Sequence, residues 1–220
     1  MINVAIDGPA GAGKSTVARA AAQKLGYIYV DTGALYRAVG VYSLRKGIVT
    51  TDAEGVGSIL NEITVELKFI DGVQHVFLNG DDVSTEIRLP EASMAASNVS
   101  AIPSVRAFLF DLQRDIAAKN NCIMDGRDIG TVVLPNAQVK IFLTADDTER
   151  AMRRYKELQE KGSSVTYQEV LDDLRVRDYN DSHREIAPLK PAEDSVIINT
   201  TNYTLEESID KIVKTVEEKL

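Results

Sequence analysis

The chain has 220 residues, 44% hydrophobic and 26% charged, with a net charge of −8 and a pI near 4.9. That size fits one soluble domain with an insertion, and the acidic balance excludes a chain built to bind nucleic acid or a membrane surface, either of which needs a net basic face. The single Cys122 excludes an internal disulfide and reads as a small core residue in a reducing compartment, while no apolar run approaches the roughly 20 residues of a membrane span.

Residues 2–7 read as a short buried strand that the amino terminus enters at once, leaving no room for a signal peptide; the expected location is cytoplasmic. Gly8-Pro9-Ala10-Gly11-Ala12-Gly13-Lys14-Ser15 then fits the phosphate-loop pattern G-x-x-x-x-G-K-[ST] at every fixed position, and Thr16 opens a helix over 16–25 that Gly26 ends. Glycines and small alanines let consecutive N–H groups curl around a phosphate, and the helix turns its positive end toward the same anion. Lys14 is expected to neutralise the β- and γ-phosphates and the Ser15 hydroxyl to ligate Mg²⁺.

Residues 27–30 predict a second strand ending in Asp31-Thr32-Gly33. Thr32 or Asp31 suits the N-cap of a helix over 34–46 that brings Tyr36 and Arg37 toward the strand-end crevice, where ligands of open α/β sheets bind. Residues 51–63 read as a short polar helix. Residues 64–70 and 73–78 alternate as two strands around an Asp71-Gly72 turn, and after Asn79-Gly80 a third strand is expected over 83–87. His75 lies in this unit as an ordinary strand histidine, with no carboxylate, His or Cys cluster at metal spacing.

A polar helix from Pro90 carries Ser97 and Asn98. Pro103 opens an amphipathic helix with Val105, Phe108, Leu109, Leu112 and Ile116 on its apolar side and Arg106 off that stripe. Residues 121–128 form a buried strand breaking into Asp125-Gly126-Arg127-Asp128, a crowd of charge that is costly unless it binds something. After a core strand over 138–143, Asp147 or Thr148 caps a helix with Arg150, Arg153 and Arg154. A polar break over 160–164, including Lys161, leads to a second charged helix over 167–181 with Arg175 and Arg177, followed by Arg184. Two arginine-rich helices joined by a flexible turn read as a lid over phosphates, though some of these arginines must pair with Glu157, Glu160, Asp172 or Asp173. A last strand over 195–200 and an amphipathic helix over 205–220 close the chain. Five strands alternating with helices give an α/β fold with a parallel sheet covered on both faces.

These stretches together resemble the bacterial cytidylate kinases, in the nucleoside monophosphate kinase group of P-loop proteins. The resemblance runs through Ile6-Asp7-Gly8-Pro9 and the loop, 31–37, 125–133, 140–143, 158–162 and 184–189. It implies a P-loop kinase with a five-stranded parallel sheet flanked by helices, a small antiparallel insertion on the monophosphate side and a helical lid. The implied partition is a core over about 1–50, 103–150 and 190–220, a monophosphate-binding part over about 51–102, and a lid over about 151–186. It further implies transfer from ATP, with Mg²⁺, to CMP or dCMP, giving ADP with CDP or dCDP.

Carried over by position, the resemblance places Thr32, Tyr36 and Arg37 on the acceptor nucleotide, Arg37 on its phosphate. Ser97, Arg106 and Asp128 would read the cytosine edge, Arg127 and Arg184 would bind phosphate, and Asp181 would contact the sugar. Arg150, Arg154 and Arg177 flank ATP. Lys14, Arg127, Arg154 and Arg177 stand as the catalytic cations. Thr32 sits where the family often has serine, which keeps the hydroxyl. Two alternatives remain: a kinase of another acceptor such as UMP, and a GTP-dependent switch, which would need an N-K-x-D segment that the sequence lacks. No apolar heptad demands a partner, so a monomer is expected.

Overall fold

β1 (Asn3–Asp7) is the middle strand of the five-stranded parallel sheet, and its Val4, Ala5 and Ile6 are inaccessible to solvent because helices cover both faces. The computed structural model describes residues 1–160 and 162–220; Lys161, in the expected polar break, lies outside the described residues. The strand order is β2 (Ile28–Asp31), β6 (Cys122–Gly126), β1, β7 (Val139–Thr144) and β8 (Val196–Asn199). On one side β1 pairs Asn3 with Cys122 and Asp7 with Gly126; on the other it pairs Val4 with Val139 and Asp7 with Phe142.

The chain divides into two compact units, Met1–Tyr29 with Asn120–Leu220, and Val30–Lys119. In the first, α1 (Lys14–Leu25) and α8 (Leu205–Lys219) lay Val17, Ala18, Ala21, Ile212 and Val216 on the sheet residues Ile6, Ile123, Ile141 and Ile198. Gly26, at φ +69, ends α1 as expected of a left-handed cap. α6 (Asp147–Glu160) and α7 (Tyr167–His183) form a separate apolar cluster in which Ala151, Val170, Leu171 and Leu174 pack on Ala10 of the glycine loop. Thr166 and Glu169 close a reciprocal capping box at the start of α7.

The second unit holds α2 (Thr32–Arg45), α3 (Ala53–Ser58), a three-stranded antiparallel sheet, α4 (Pro90–Ser100) and α5 (Pro103–Lys119) around Leu35, Val39, Leu78, Ile87, Val99 and Leu109. Asp31 is the N-cap of α2, its carboxylate accepting from the Ala34 N–H at 3.0 Å, which decides between the two sequence candidates. The hairpin of β3 (Val65–Ile70) and β4 (Val73–Leu78) turns on Asp71 (φ +51) and Gly72 (φ +76), as the Asp-Gly pair predicts.

The third strand departs from expectation. β5 is Asp81–Asp82, not 83–87, because Asn79 and Gly80 reverse the chain at once, pairing Leu78 with Asp81 and Phe77 with Asp82. The Ser84 hydroxyl then accepts the Val76 N–H, ending the ladder; Val83 and Ile87 turn into the core, and Glu86–Arg88 forms a 3₁₀ turn. Arg106 also differs: it is 9% exposed on the buried side of α5, its guanidinium 5.8 Å from the Tyr36 ring and its Nη1 donating to Ser100 O at 3.1 Å. A planar cation over a tyrosine face is stable in such a place, which a stripe of aliphatic positions does not reveal.

Candidate functional site

The glycine loop joins the carboxyl end of β1 to the amino end of α1, with Gly8, Gly11 and Gly13 at φ +151, +70 and +81. Gly13 is the N-cap of α1 and supplies no side-chain cap, so what this end of the helix can offer an anion is backbone N–H groups and its positive end. Pro9, Ala10 and Ala12 are buried in the loop, and Thr16 is exposed in the first turn of α1.

Lys14 is only 6% exposed and folds back to donate to Pro9 O at 2.7 Å. Burial, with the nearby charges of Arg127 and Arg177, holds its ammonium well below the usual lysine range, although Asp125 and Asp181 oppose this. Three cations therefore stand within electrostatic reach of one another, an arrangement whose repulsion a polyanion would relieve.

Beside them the Ser15 hydroxyl donates to Asp125 Oδ2 at 3.0 Å, and the Tyr29 hydroxyl donates to Asp125 Oδ1 at the same distance. An acidic residue at a strand end facing the loop serine is the donor set that magnesium nucleotides need in P-loop proteins. Among the described residues no group of three or more His, Cys, Asp or Glu could hold a metal by itself, so a metal at Ser15 and Asp125 requires phosphate oxygens and water as well, which is how Mg²⁺ is usually bound.

Arg127 donates from Nε to Asp181 Oδ2 at 2.8 Å and from Nη1 to Gly126 O. Burial alone would raise the Asp181 carboxyl, but Arg127, Arg177 and Arg184 outweigh it and hold it below the ordinary range. Arg184 donates from Nη2 to Asp128 Oδ1 at 3.1 Å and from Nε to Ala187 O, with the side chains of Arg184 and Asp128 each 6% exposed. Arg150, 6% exposed, is committed to Ala145 O, Ala10 O and Asp178. Arg154 is not drawn to the loop: it pairs with Glu157 at 2.8 Å along α6. Arg175 pairs with Asp147 at the surface.

In the second unit, taken by itself, Thr32 and Tyr36 are buried at the start of α2, and Arg37 Nη2 meets Asp31 Oδ2 at 2.6 Å. Arg88, which the sequence did not single out, stands 3.5 Å from the same carboxylate oxygen. Burial would raise the Asp31 carboxyl, but Arg37 and Arg88 outweigh it and lower it. Arg37 Nε is buried without a hydrogen-bond partner, a donor that a phosphate oxygen would satisfy. Ser97 is half-buried on α4, and the Ser100 hydroxyl donates to its carbonyl at 2.8 Å.

Asp7 supports the site from behind. At the end of β1 it accepts the Ile129 and Gly130 N–H groups at 2.8 and 2.7 Å, which fixes the π-helical turn Ile129–Val133 directly after Asp128. Burial pushes its carboxyl up to about 6, although both amides and Lys14 pull it down. The folded protein thus binds a proton more readily than the unfolded chain between the ordinary value of 3.8 and about 6. Asp7 accordingly lends stability at low pH that is lost as pH rises through that window, by about 3 kcal/mol in all. Urea unfolding of Asp7→Asn from pH 4 to 7 is expected to lack this decline. Parallel pH profiles for the variant and the unaltered chain would remove Asp7 as its source.

Cys122 is buried with its thiol donating to Asn3 Oδ1, and burial pushes it up to about 12, so it is the inert core residue that the sequence predicts. No helix among the described residues is long and apolar enough to cross a membrane.

A family model described as cytidylate kinase matches residues 4–218. The cytidylate kinase of Caldicellulosiruptor bescii is 52% identical over 213 residues, covering 97% of this chain and 94% of its own. That of Lactobacillus johnsonii is 48% identical over 219 residues, covering 100% and 95%, and that of Thermosipho africanus 49% identical over 217, covering 98% and 95%. Among solved structures, an uncharacterized protein from Eubacterium ventriosum is similar at a TM-score of 0.55 and 13% identity over 99% of each chain, a likeness of fold alone.

Proposed function

The chain belongs to the cytidylate kinase family, and from that premise we propose how its residues transfer the γ-phosphoryl group of ATP to CMP or dCMP, giving ADP with CDP or dCDP. The observation that carries the proposal is the convergence of Lys14, Arg127 and Arg177 beside the Ser15–Asp125 pair, at the amino end of α1.

An oxygen of the acceptor monophosphate attacks the γ-phosphorus while its bond to the bridging oxygen breaks and ADP leaves. Little covalent help is required; alignment and neutralisation of the moving charge supply the rate. The loop N–H groups and Lys14 hold the β- and γ-phosphates, and Arg127 and Arg177 bear on the group in flight. Mg²⁺, with Ser15 and Asp125 as its protein partners, supplies charge neutralisation across the phosphate oxygens when bound.

On the acceptor, Arg37 and Arg184 take the monophosphate, Asp181 the sugar hydroxyls, and Thr32, Tyr36, Ser97, Arg106 and Asp128 the nucleotide and its cytosine edge. A carboxylate accepting from the exocyclic amine of cytosine meets a carbonyl instead in uracil, so Asp128 would separate the two. Arg150 forms the wall of the loop, whereas the exposed pairing of Arg154 with Glu157 supports a contribution only once that pair opens. A cytoplasmic monomer, with no nucleic-acid or membrane partner, completes the reading.

The test is ADP release from Mg-ATP with CMP, dCMP, UMP or AMP, each referenced to ATP alone. Strong turnover with CMP and dCMP is expected; equal release without an acceptor would overturn the kinase assignment, and preference for UMP its substrate. Asp128→Asn keeps an oxygen for Arg184 but loses the charge, and is expected to lower the CMP-to-UMP ratio of kcat/KM by about tenfold to a hundredfold. An unchanged ratio would mean that Asp128 serves Arg184 alone.

A further inference from the structure

Nothing in the roles above uses Asp178, yet its carboxylate touches the phosphate loop directly. Asp178 Oδ1 accepts the Ala10 N–H at 3.1 Å, and Oδ2 lies 2.6 Å from Arg150 Nη1. The same Nη1 donates to Ala10 O at 2.7 Å, and Arg150 Nε is anchored on Ala145 O at 2.8 Å. One ion pair, with a residue on α7 and a residue on α6, therefore clamps both the N–H and the C=O of a single loop residue.

The clamp does not stand alone. The Ala10 methyl is seated in the α6–α7 apolar cluster, and a Cβ on Gly11 would meet Leu174 Cδ1 at 3.0 Å and Arg150 O at 3.1 Å, so the loop lies directly against this helical pair. A flexible glycine loop can present its N–H groups inward in many ways, and fixing one peptide from outside removes most of them.

We propose that Asp178 is a positioning residue which, through Arg150, holds the Ala10 peptide so that the phosphate loop is preformed for the donor nucleotide. This rests on the kinase reading only in naming the donor as a nucleoside phosphate. Asp178 itself touches no phosphate, because its oxygens are spent on Ala10 and Arg150. Charge-assisted hydrogen bonds at such a partly buried pair are the strong ones, and their loss falls on donor affinity rather than on acceptor affinity.

The experiment measures Kd for ADP and for CMP separately by calorimetry in Asp178→Ala, Asp178→Asn, Arg150→Met and the Asp178→Ala/Arg150→Met double variant. Thermal unfolding of each variant reports that it is folded. ADP affinity is expected to fall by about tenfold or more in Asp178→Ala, and less in Asp178→Asn, which keeps an oxygen for the Ala10 N–H. CMP affinity should stay within about twofold, and the double variant should bind ADP no worse than Arg150→Met, because one residue acts through the other.

An equal loss of ADP and CMP affinity, or additive losses in the double variant, overturns the proposal. So does a gain in ADP affinity, which would mean that the carboxylate competes with phosphate for the Ala10 N–H. If Asp178→Ala does not fold, Asp178→Asn carries the same comparison, with a loss of a few-fold confined to ADP as its supporting result. Acceptor-dependent turnover by the unaltered chain is read in parallel, so a failure of the kinase reading shows there and a failure of the clamp shows only in the variants.

Discussion

Lys14→Met is expected to lower kcat by about a thousandfold or more while leaving the melting temperature equal to or above that of the unaltered chain. The two halves of that expectation have one cause. The Lys14 ammonium is buried beside Arg127 and Arg177, and this environment works against its charge. A buried cation facing like charges costs the resting fold something, and an isosteric apolar chain removes the cost. In the proposed function the same cation is what the β- and γ-phosphates meet during transfer. Coupled ADP-release kinetics and a thermal scan on one preparation test both. A melting temperature several degrees lower would show that the Lys14 bond to Pro9 O outweighs the repulsion, and a kcat within tenfold of the original would remove Lys14 from the transfer step.

Gly8→Ala and Gly13→Ala are the same chemical change a few residues apart, and they are expected to differ widely. A Cβ on Gly8 would lie 1.9 Å from Leu143 O, in a backbone at φ +151, so the first residue of the loop is pressed against β7 with no space for a side chain. Accommodating it means tearing the loop from the sheet, at about 3–5 kcal/mol and with loss of nucleotide binding. A Cβ on Gly13 meets nothing within 4 Å, and only its φ of +81 resists; about 1 kcal/mol is expected there. Urea midpoints for both variants decide the point. Equal losses would show that backbone conformation alone, rather than contact with β7, requires glycine at position 8.

What the chain discloses before folding follows from how local each signal is. The loop, its flanking strand and helix, the Asp71-Gly72 hairpin and the helix starts at Tyr167 and Leu205 depend on neighbours within a few residues, and the expected elements lie there within a residue or two. Asp125 stood out only as one charge in a crowded strand end. Its partnership with Ser15 and Tyr29 spans about a hundred residues and needs the parallel register of β1 with β6. Asp178 was invisible for the same reason: on a helix dense with carboxylates, nothing local separates it from Asp172 or Asp173. Arg106 was set off the apolar stripe of its helix, because such a stripe marks where aliphatic side chains go, not where a guanidinium finds an aromatic face. Asp7 read as the last residue of a strand, and only the turn after Asp128 gives it two amides to hold.

The division of the chain also bears on the order in which it can fold as it is synthesised. Val30–Lys119 is one uninterrupted segment with its own core, whereas the other unit is assembled from two pieces that flank it. β1 leaves the ribosome before both of its ladder partners and stays unpaired until Cys122–Gly126 and then Val139–Thr144 have followed. The middle unit, whose contacts are nearer in sequence, is therefore the one able to collapse while β1 still waits unpaired. The nucleotide-gripping loop takes its shape late, once Leu143 closes against Gly8 and α7 has delivered Asp178. A nascent chain stalled before that point has an ordered middle and no means of binding ATP.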